Sequence, residues 1–410
     1  MKGALQRESA NVGVQIGNCS LFRRSLATSM PVVRELNPRG PAVILGVVCA
    51  GVLSGILLAG LWPFHSPQND VTWLAGNRGV HFGRHGTILS SSEFKLARGE
   101  GELARSLEIW LTPASVWENP STLLAFYNPD GPGQFALRQS FEALALETDF
   151  RTEPHEVGGA RPLLDHVFWP KRSVFITITS GPQRTAVWVN GSLAQTASPF
   201  PLDSSGTLVV ATSPVADDSW PGDLQGLAIY NSELTQEKIL SHYKTWTAMG
   251  RPQLTENDHT VALYLFDEGH GSIIHNRSST GIDLYIPKRY MVLNQRLLKP
   301  FWEEFSWDQA YWSAVLVNLA GFVPLGFFFC AYFESTRQMK QAALATIILG
   351  LAVSLVIETL QGFLPTRDSG TTDVITNTLG TWLGTVLYVR TPARVLLARV
   401  FDRILFVRAG

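Results

Sequence analysis

Hydrophobic and polar positions follow three different rhythms along this chain. Residues 40–69 contain no Asp, Glu, Lys or Arg. Their core, 42–62, has the roughly 20 apolar residues that a helix needs to cross a bilayer. From 71 to 243 the rhythm becomes the period of two expected of strands: Val174, Ile176 and Ile178 alternate with Phe175, Thr177 and Thr179. Long uncharged runs then return at 309–333, at 341–357 (continuing through Glu358 to 366) and at 374–389. In lipid every backbone polar group needs an internal partner, so these runs are predicted to be helices.

Strands are also predicted at 107–111, 122–127, 135–137, 143–147, 185–189, 208–211 and 224–230, with one helix near 235–243. Asn190-Gly191 follows the strand at 185–189, and both residues tolerate positive φ, which predicts a tight hairpin. Many short strands with turns between them argue for an antiparallel sandwich.

The basic residues predict the direction of the spans. Lys2, Arg7, Arg23, Arg24, Arg34 and Arg39 precede the first run, and Arg337 and Lys340 separate the second from the third. Arg390, Arg394, Arg399, Arg403 and Arg408 follow the fourth, whereas Arg367 alone lies between the third and fourth. Lys and Arg stay on the cytoplasmic side, so four spans with both termini inside are expected. The expected order is a cytoplasmic segment 1–40, a span 41–63, an outer sandwich 70–250 and a connector 251–305 able to supply a further strand. Spans 306–390 and an amphipathic cytoplasmic tail 391–410 complete it.

The fold class is thus a multi-domain membrane protein: a β-sandwich joined to a helical transmembrane bundle. Net charge is −1 and only 16% of residues are charged, which gives no basic surface for nucleic acid. Membrane lipids are the expected partners. The three cysteines, Cys19, Cys49 and Cys330, lie outside the middle domain. That domain is therefore stabilised by its core and not by disulfides, a habit more bacterial than eukaryotic.

The middle segment resembles the laminin-G-like, concanavalin A-like jelly roll. The matching pieces are Ser106-Leu-Glu-Ile-Trp-Leu-Thr-Pro113, Phe175-Ile-Thr-Ile-Thr-Ser-Gly181, Ala186-Val-Trp-Val-Asn-Gly191 and Trp220-Pro-Gly-Asp-Leu-Gln-Gly-Leu-Ala-Ile-Tyr230. Tyr264-Leu-Phe-Asp-Glu-Gly-His-Gly271 resembles a motif that opens such domains. The resemblance implies carbohydrate or protein binding. Trp188, Trp220 and Trp169 are then candidates for stacking on sugar rings. Asp130, Asp203, Asp217, Asp218 and Asp223 are candidate calcium ligands, with Asp217-Asp218 the foremost pair. Core tryptophans and ordinary turn aspartates are the competing explanation.

Glycoside hydrolysis needs two carboxylates flanking the sugar bond. The nearest approach, Glu147-Thr-Asp149-Phe-Arg151-Thr-Glu153, has its last acid too far along. No HExxH, GxSxG or CxxC pattern occurs. The balance is against an enzyme in the middle domain.

Polar residues interrupt the C-terminal spans. Asn318 lies in the second, Glu358 and Gln361 share a face near the outer end of the third, and Arg367 and Asp368 follow in a short loop. Asp373, Asn377, Gly380 and Gly384 form one stripe on the fourth, where the glycines admit a close helix neighbour. Ionisable groups in spans usually face a bundle interior, so these residues predict an outward-opening polar pocket or a polar clamp between helices.

Asn318 with Phe322-Val-Pro-Leu-Gly326, Ile357-Glu-Thr-Leu-Gln361, Arg367, Asp368, Asp373, Asn377, Gly380 and Gly384 resemble the VanZ-like family. Leu61-Trp-Pro-Phe64 is similar to the exit of that family's first helix. The type member is associated with reduced sensitivity to teicoplanin, a glycopeptide antibiotic. Here a large insert separates the first and second spans. The readings are a glycan- or peptidoglycan-precursor-binding envelope protein, an enzyme or carrier acting on a lipid headgroup, and a structural anchor.

Overall fold

A computed structural model describes residues 39–76, 78–95, 104–117, 120–129, 135–148, 161–200, 202, 204–278, 281–335, 337–392, 395–396 and 399. The expectations for the N-terminal segment, for Asp130, Asp149, Arg151, Glu153 and Asp203, and for most of the basic tail lie outside these residues. A helix α1 (Arg39–Leu61) leads into strands β1 (Val71–Trp73), β2 (Val80–Phe82) and β3 (Ile88–Ser90). Then come β4 (Arg105–Pro113), β5 (Ser121–Tyr127), β6 (Phe135–Ser140), β7 (Ala143–Thr148) and β8 (Arg161–Leu164). Next are β9 (Val174–Ser180), β10 (Thr185–Val189), β11 (Ser192–Ala197), β12 (Thr207–Val210) and β13 (Gly222–Tyr230). Helix α2 (Gln236–Met249) precedes β14 (Thr260–Tyr264), β15 (Ile273–Ile274) and β16 (Leu284–Tyr285). The chain ends in α3 (Phe301–Glu304), α4 (Gln309–Ser335), α5 (Ala342–Gln361) and α6 (Thr371–Arg390).

The strands form two antiparallel eight-stranded sheets. One runs β1-β2-β13-β4-β9-β10-β11, and the other runs β15-β16-β3-β12-β5-β6-β7-β8. In the first, β14 shares an edge of β13 with β2: β2 pairs with 222–224 and β14 with 227–230. The strands thus continue past residue 250, and the expected connector completes both sheets up to Tyr285.

Inward positions from both sheets, among them Phe82, Ile109, Phe126, Leu137, Ile176, Leu208 and Tyr264, make one core. Val187 faces this core through the β10–β11 hairpin, whose turn holds Asn190 and Gly191 at φ 52° and 76°. That is the geometry Asn-Gly favours.

The alternating Thr177 and Thr179 suggest a solvated outer face on the first sheet, but both are buried. Helix α2 covers that face with Ile239, His242 and Trp246, against Phe175, Trp188 and Tyr230. Trp246 fits because Gly226 beneath it has no side chain; a Cβ there would stand 2.4 Å from the indole.

Helices α1, α4 and α5 are each long and apolar enough to cross a membrane. Helix α6 has 20 residues but carries a buried row of Thr372, Thr376, Asn377, Thr381 and Thr385. It packs on α4 through glycines: a Cβ on Gly326 would lie 2.0 Å from the Thr381 carbonyl, and one on Gly380 2.2 Å from that of Leu319. Helix α1 lies alongside, with Leu53, Ile56 and Leu57 against Phe322, Leu325 and Ile357.

Candidate functional site

The first turn of α6 points its free N–H groups at two acids. The Gly370 N–H donates to Glu358 Oε2 at 2.9 Å, and the Thr372 N–H donates to Glu304 Oε2 at 2.9 Å. Such orphan donors at a helix start favour carboxylates. Glu358, on α5, is only 1% exposed. Gly370 lets Glu304 approach this closely: a Cβ there would fall 1.5 Å from Glu304 Oε1 and push that carboxyl away from the helix start. Asp373, one turn along, takes a side-chain hydrogen bond from Asn318 of α4 and also faces Glu304 and Arg367.

Arg367 and Gln361 meet at the end of α1. Gln361 Nε2 donates to the Gly60 carbonyl at 2.7 Å, and an Arg367 terminal nitrogen donates to the same oxygen at 3.1 Å. That oxygen is one of the carbonyls a helix C-terminus leaves free. Arg367 Nε, Gln361 Oε1 and Asn377 Oδ1 are buried without hydrogen-bond partners. Asn377 Nδ2 donates to Ser354 Oγ at 2.9 Å, one turn deeper.

The cluster therefore gathers Asn318, Glu358, Arg367 and Asp373, with Gln361 and Asn377 at its margins. Asp368 is outside it: exposed, and paired with Lys299 Nζ at 2.7 Å. Glu304 was not foreseen as a member. Its only sequence signal is an acidic pair, Glu303-Glu304, within an aromatic run just before an uncharged span. Three carboxyl groups (Glu304, Glu358, Asp373) thus share one guanidinium (Arg367), and oxygen acceptors outnumber the cationic partner. In a low-dielectric setting this draws cationic or hydrogen-bond-donating groups.

The sandwich candidates are placed differently. Trp220 is 2% exposed and donates its Nε1–H to Gln139 Oε1 at 2.6 Å. Trp188 is packed under α2. Neither presents a ring face to a sugar, which corrects the stacking expectation: both are core residues. Trp169 is exposed.

Asp218 accepts from the Thr122 hydroxyl at 2.8 Å, the Ser213 N–H at 2.7 Å and Arg138 at 2.9 Å. Asp217 accepts from the Tyr290 hydroxyl at 2.8 Å, and Asp223 lies 2.6 Å from His81. Asp217 and Asp218 thus tie their loop to neighbouring segments, and Asp223 links β13 to β2. Among the described residues no three His, Cys, Asp or Glu side chains converge on a metal position. Glu147 is bound to Arg138 at 2.8 Å.

Burial pushes the Asp218 carboxyl up to about 6, against the pull of Arg138. A raised folded-state value stabilises most below the unfolded value near 4, and this contribution is lost as pH rises through 6. The sandwich should therefore be more stable, and melt at a higher temperature, at pH 5 than at pH 7.5, with about 1–1.5 kcal/mol of the difference coming from this group. The gap should narrow in Asp218→Asn; an unchanged gap in thermal melts would assign it elsewhere.

No curated protein matches the sequence. Among solved structures, a carbohydrate-binding protein from Bacteroides ovatus shares 10% identity at a TM-score of 0.35, over 54% of this chain and 58% of that one. This chain thus spans little more than half of that protein's length. The receptor-binding domain of botulinum neurotoxin C/D mosaic serotype shares 11% at 0.33, over 54% and 74%. A heptameric SAP-like pentraxin from Limulus polyphemus shares 11% at 0.31, over 56% and 95%. Residues 260–396, from the strand that closes the first sheet through every C-terminal helix and the whole acid–arginine cluster, match the VanZ/LLP1 family model.

Proposed function

We propose that this chain is a bacterial cell-envelope membrane protein whose external sandwich binds glycan close to the bilayer, above a polar site in the helices. In this reading four helices span the membrane, both termini are cytoplasmic, and the sandwich is a laminin-G/concanavalin A-like insert in a VanZ-like bundle. Support for the orientation comes from the clustering of Lys and Arg. Exposed Trp62, Phe64, Trp302, Trp307 and Trp312, where the chain passes between sandwich and helices, fit an interfacial aromatic belt.

One observation carries the proposal. The segment leaving the sandwich forms part of the buried acid cluster: Lys299 pairs with Gly370 backbone to backbone, and Glu304 caps Thr372. Burying carboxylates among apolar helices is costly and marks function more often than architecture. The reading ties the sandwich to envelope lipid or peptidoglycan-precursor handling, and a change in teicoplanin sensitivity is a phenotype worth measuring.

A lipid and glycan pull-down from native membranes, comparing wild type with Glu358→Gln, is the direct test. Capture of a sugar-bearing lipid should fall on the order of tenfold in the variant at equal expression, the size of effect seen when a central binding group is lost. Equal capture would remove the cluster from the function.

A second reading is an enzyme or carrier for a lipid headgroup, with Glu358 and Asp373 as acid and base and Arg367 as anion clamp. The unpartnered Arg367 Nε favours it. It requires turnover, and not capture alone, to disappear in Glu358→Gln.

A further inference from the structure

Three loops of the sandwich meet at one end around a recess of about 280 Å³. Trp117 and Phe141, which line it, are 77% and 50% exposed, in contrast with the buried Trp188 and Trp220. Glu142, Asp165 and His166 supply its polar wall, with His166 Nδ1 2.8 Å from Glu142 Oε2. Phe141 and His166 both sit at φ 55°, a left-handed conformation that a large side chain adopts at a cost. Gln139 holds the arrangement: its Nε2 donates to the carbonyls of Ser115 at 2.8 Å and Phe141 at 3.0 Å, while its Oε1 accepts from buried Trp220. The loops are thus fixed from below, and the rings are presented outward. Apolar rings beside acceptor oxygens are the chemistry that recognises a sugar: C–H faces on the rings, hydroxyls on the carboxylates.

The direction in which the recess faces is also set. The Thr122 N–H donates to the Asp218 carbonyl at 3.1 Å, and Arg138 bridges to Asp218, so the recess end of the second sheet abuts the 213–218 loop. The Asn294 N–H donates to Pro214 in that loop at 2.9 Å, and the next residue, Gln295, donates to the Leu364 carbonyl just beyond α5 at 2.7 Å. The recess therefore lies on the end of the sandwich turned toward the helices. Trp169, Lys171 and Arg172 are exposed on the neighbouring loop, a pairing of indole and cation suited to a headgroup layer.

We propose that the recess binds the neutral or amino-sugar headgroup of a membrane-anchored glycolipid, with Trp117 and Phe141 as stacking rings and Glu142 and Asp165 as hydroxyl acceptors. This rests on the reading that the sandwich is an external glycan binder.

The test uses the full chain with p-benzoylphenylalanine at position 141, in phosphatidylglycerol nanodiscs with diglucosyldiacylglycerol as the probe. After irradiation the glycolipid should be crosslinked well beyond its mole fraction. Trp117→Ala should cut the yield about tenfold, as loss of a central aromatic anchor does, and Trp117→Phe should restore it. Crosslinking of phospholipid alone, in proportion to its abundance, would overturn the proposal and make these loops a plain membrane seat. A parallel measurement places detergent-solubilised wild type, Trp117→Ala and Glu142→Gln on immobilised oligosaccharides. Retention by wild type and both variants alike would refute the recess and leave glycan binding standing. No retention by wild type in either format would end both.

Discussion

Replacing Gly384 by leucine should eliminate folded protein from the membrane. A Cβ at this position would lie 2.0 Å from the Val323 carbonyl and 2.8 Å from the Phe327 N–H, both backbone atoms of α4. No rotamer change relieves that contact, so α4 and α6 must separate. Separation would also undo the Gly326 and Gly380 contacts, which are equally close. In lipid no hydrophobic effect holds helices together; close van der Waals packing and interhelical hydrogen bonds do. Overpacking costs about 1–3 kcal/mol where a core can yield, and more where backbone meets backbone. Fluorescence-detected gel filtration in mild detergent should show the Gly384→Leu peak lost to aggregate. Gly55→Leu is the control, because nothing lies within 4 Å of the Cβ it adds. A normal, monodisperse Gly384→Leu protein would mean that α4 and α6 are not packed as described.

Glu108→Ala should destabilise the sandwich by about 3–5 kcal/mol, the cost of breaking a buried charged network by removing one partner. Glu108 is fully buried under α2. Its Oε2 accepts from the Tyr230 hydroxyl at 2.7 Å and lies 3.1 Å from His242 Nδ1, and its Oε1 accepts from Thr177 at 3.2 Å. His242 Nε2 stands 3.7 Å from Asp258, which Lys238 approaches at 2.5 Å. Alanine would strand a tyrosine hydroxyl, a threonine hydroxyl and a histidine in a dry site. Denaturant unfolding followed by tryptophan emission reports the change, since Trp246 lies in the same layer. Glu108→Gln, which keeps the shape and part of the hydrogen bonding, should cost clearly less. A loss below about 1 kcal/mol for alanine would show that water reaches the network.

The candidate helical site was partly legible because its residues are anomalous where they stand. Glu358 and Asp373 interrupt apolar runs, and Gly380 and Gly384 share a helix face, so local spacing alone drew attention to them. Glu304 escaped because it lies outside any span, in a segment that resembles ordinary surface until the chain folds back on α6. Asp368 drew attention by its position and points away, paired with Lys299. Trp188 and Trp220 were misleading for a different reason: ring type suggests stacking, but exposure decides it, and α2 and Gln139 had already claimed them.

What the sequence determined by itself is whatever depends on neighbours within a few positions. That covers the apolar stretches, the alternating strands at 174–180 and 185–189, the Asn190-Gly191 hairpin and the glycine stripe of α6. Tertiary structure alone decided which faces meet. Glu108 finds partners 69, 122 and 134 residues away, β14 joins β13 from beyond a helix, and Glu304 reaches an acid cluster built by three other helices. Such pairings arise when the chain buries its apolar surface, and no local pattern records which distant polar group will be buried alongside.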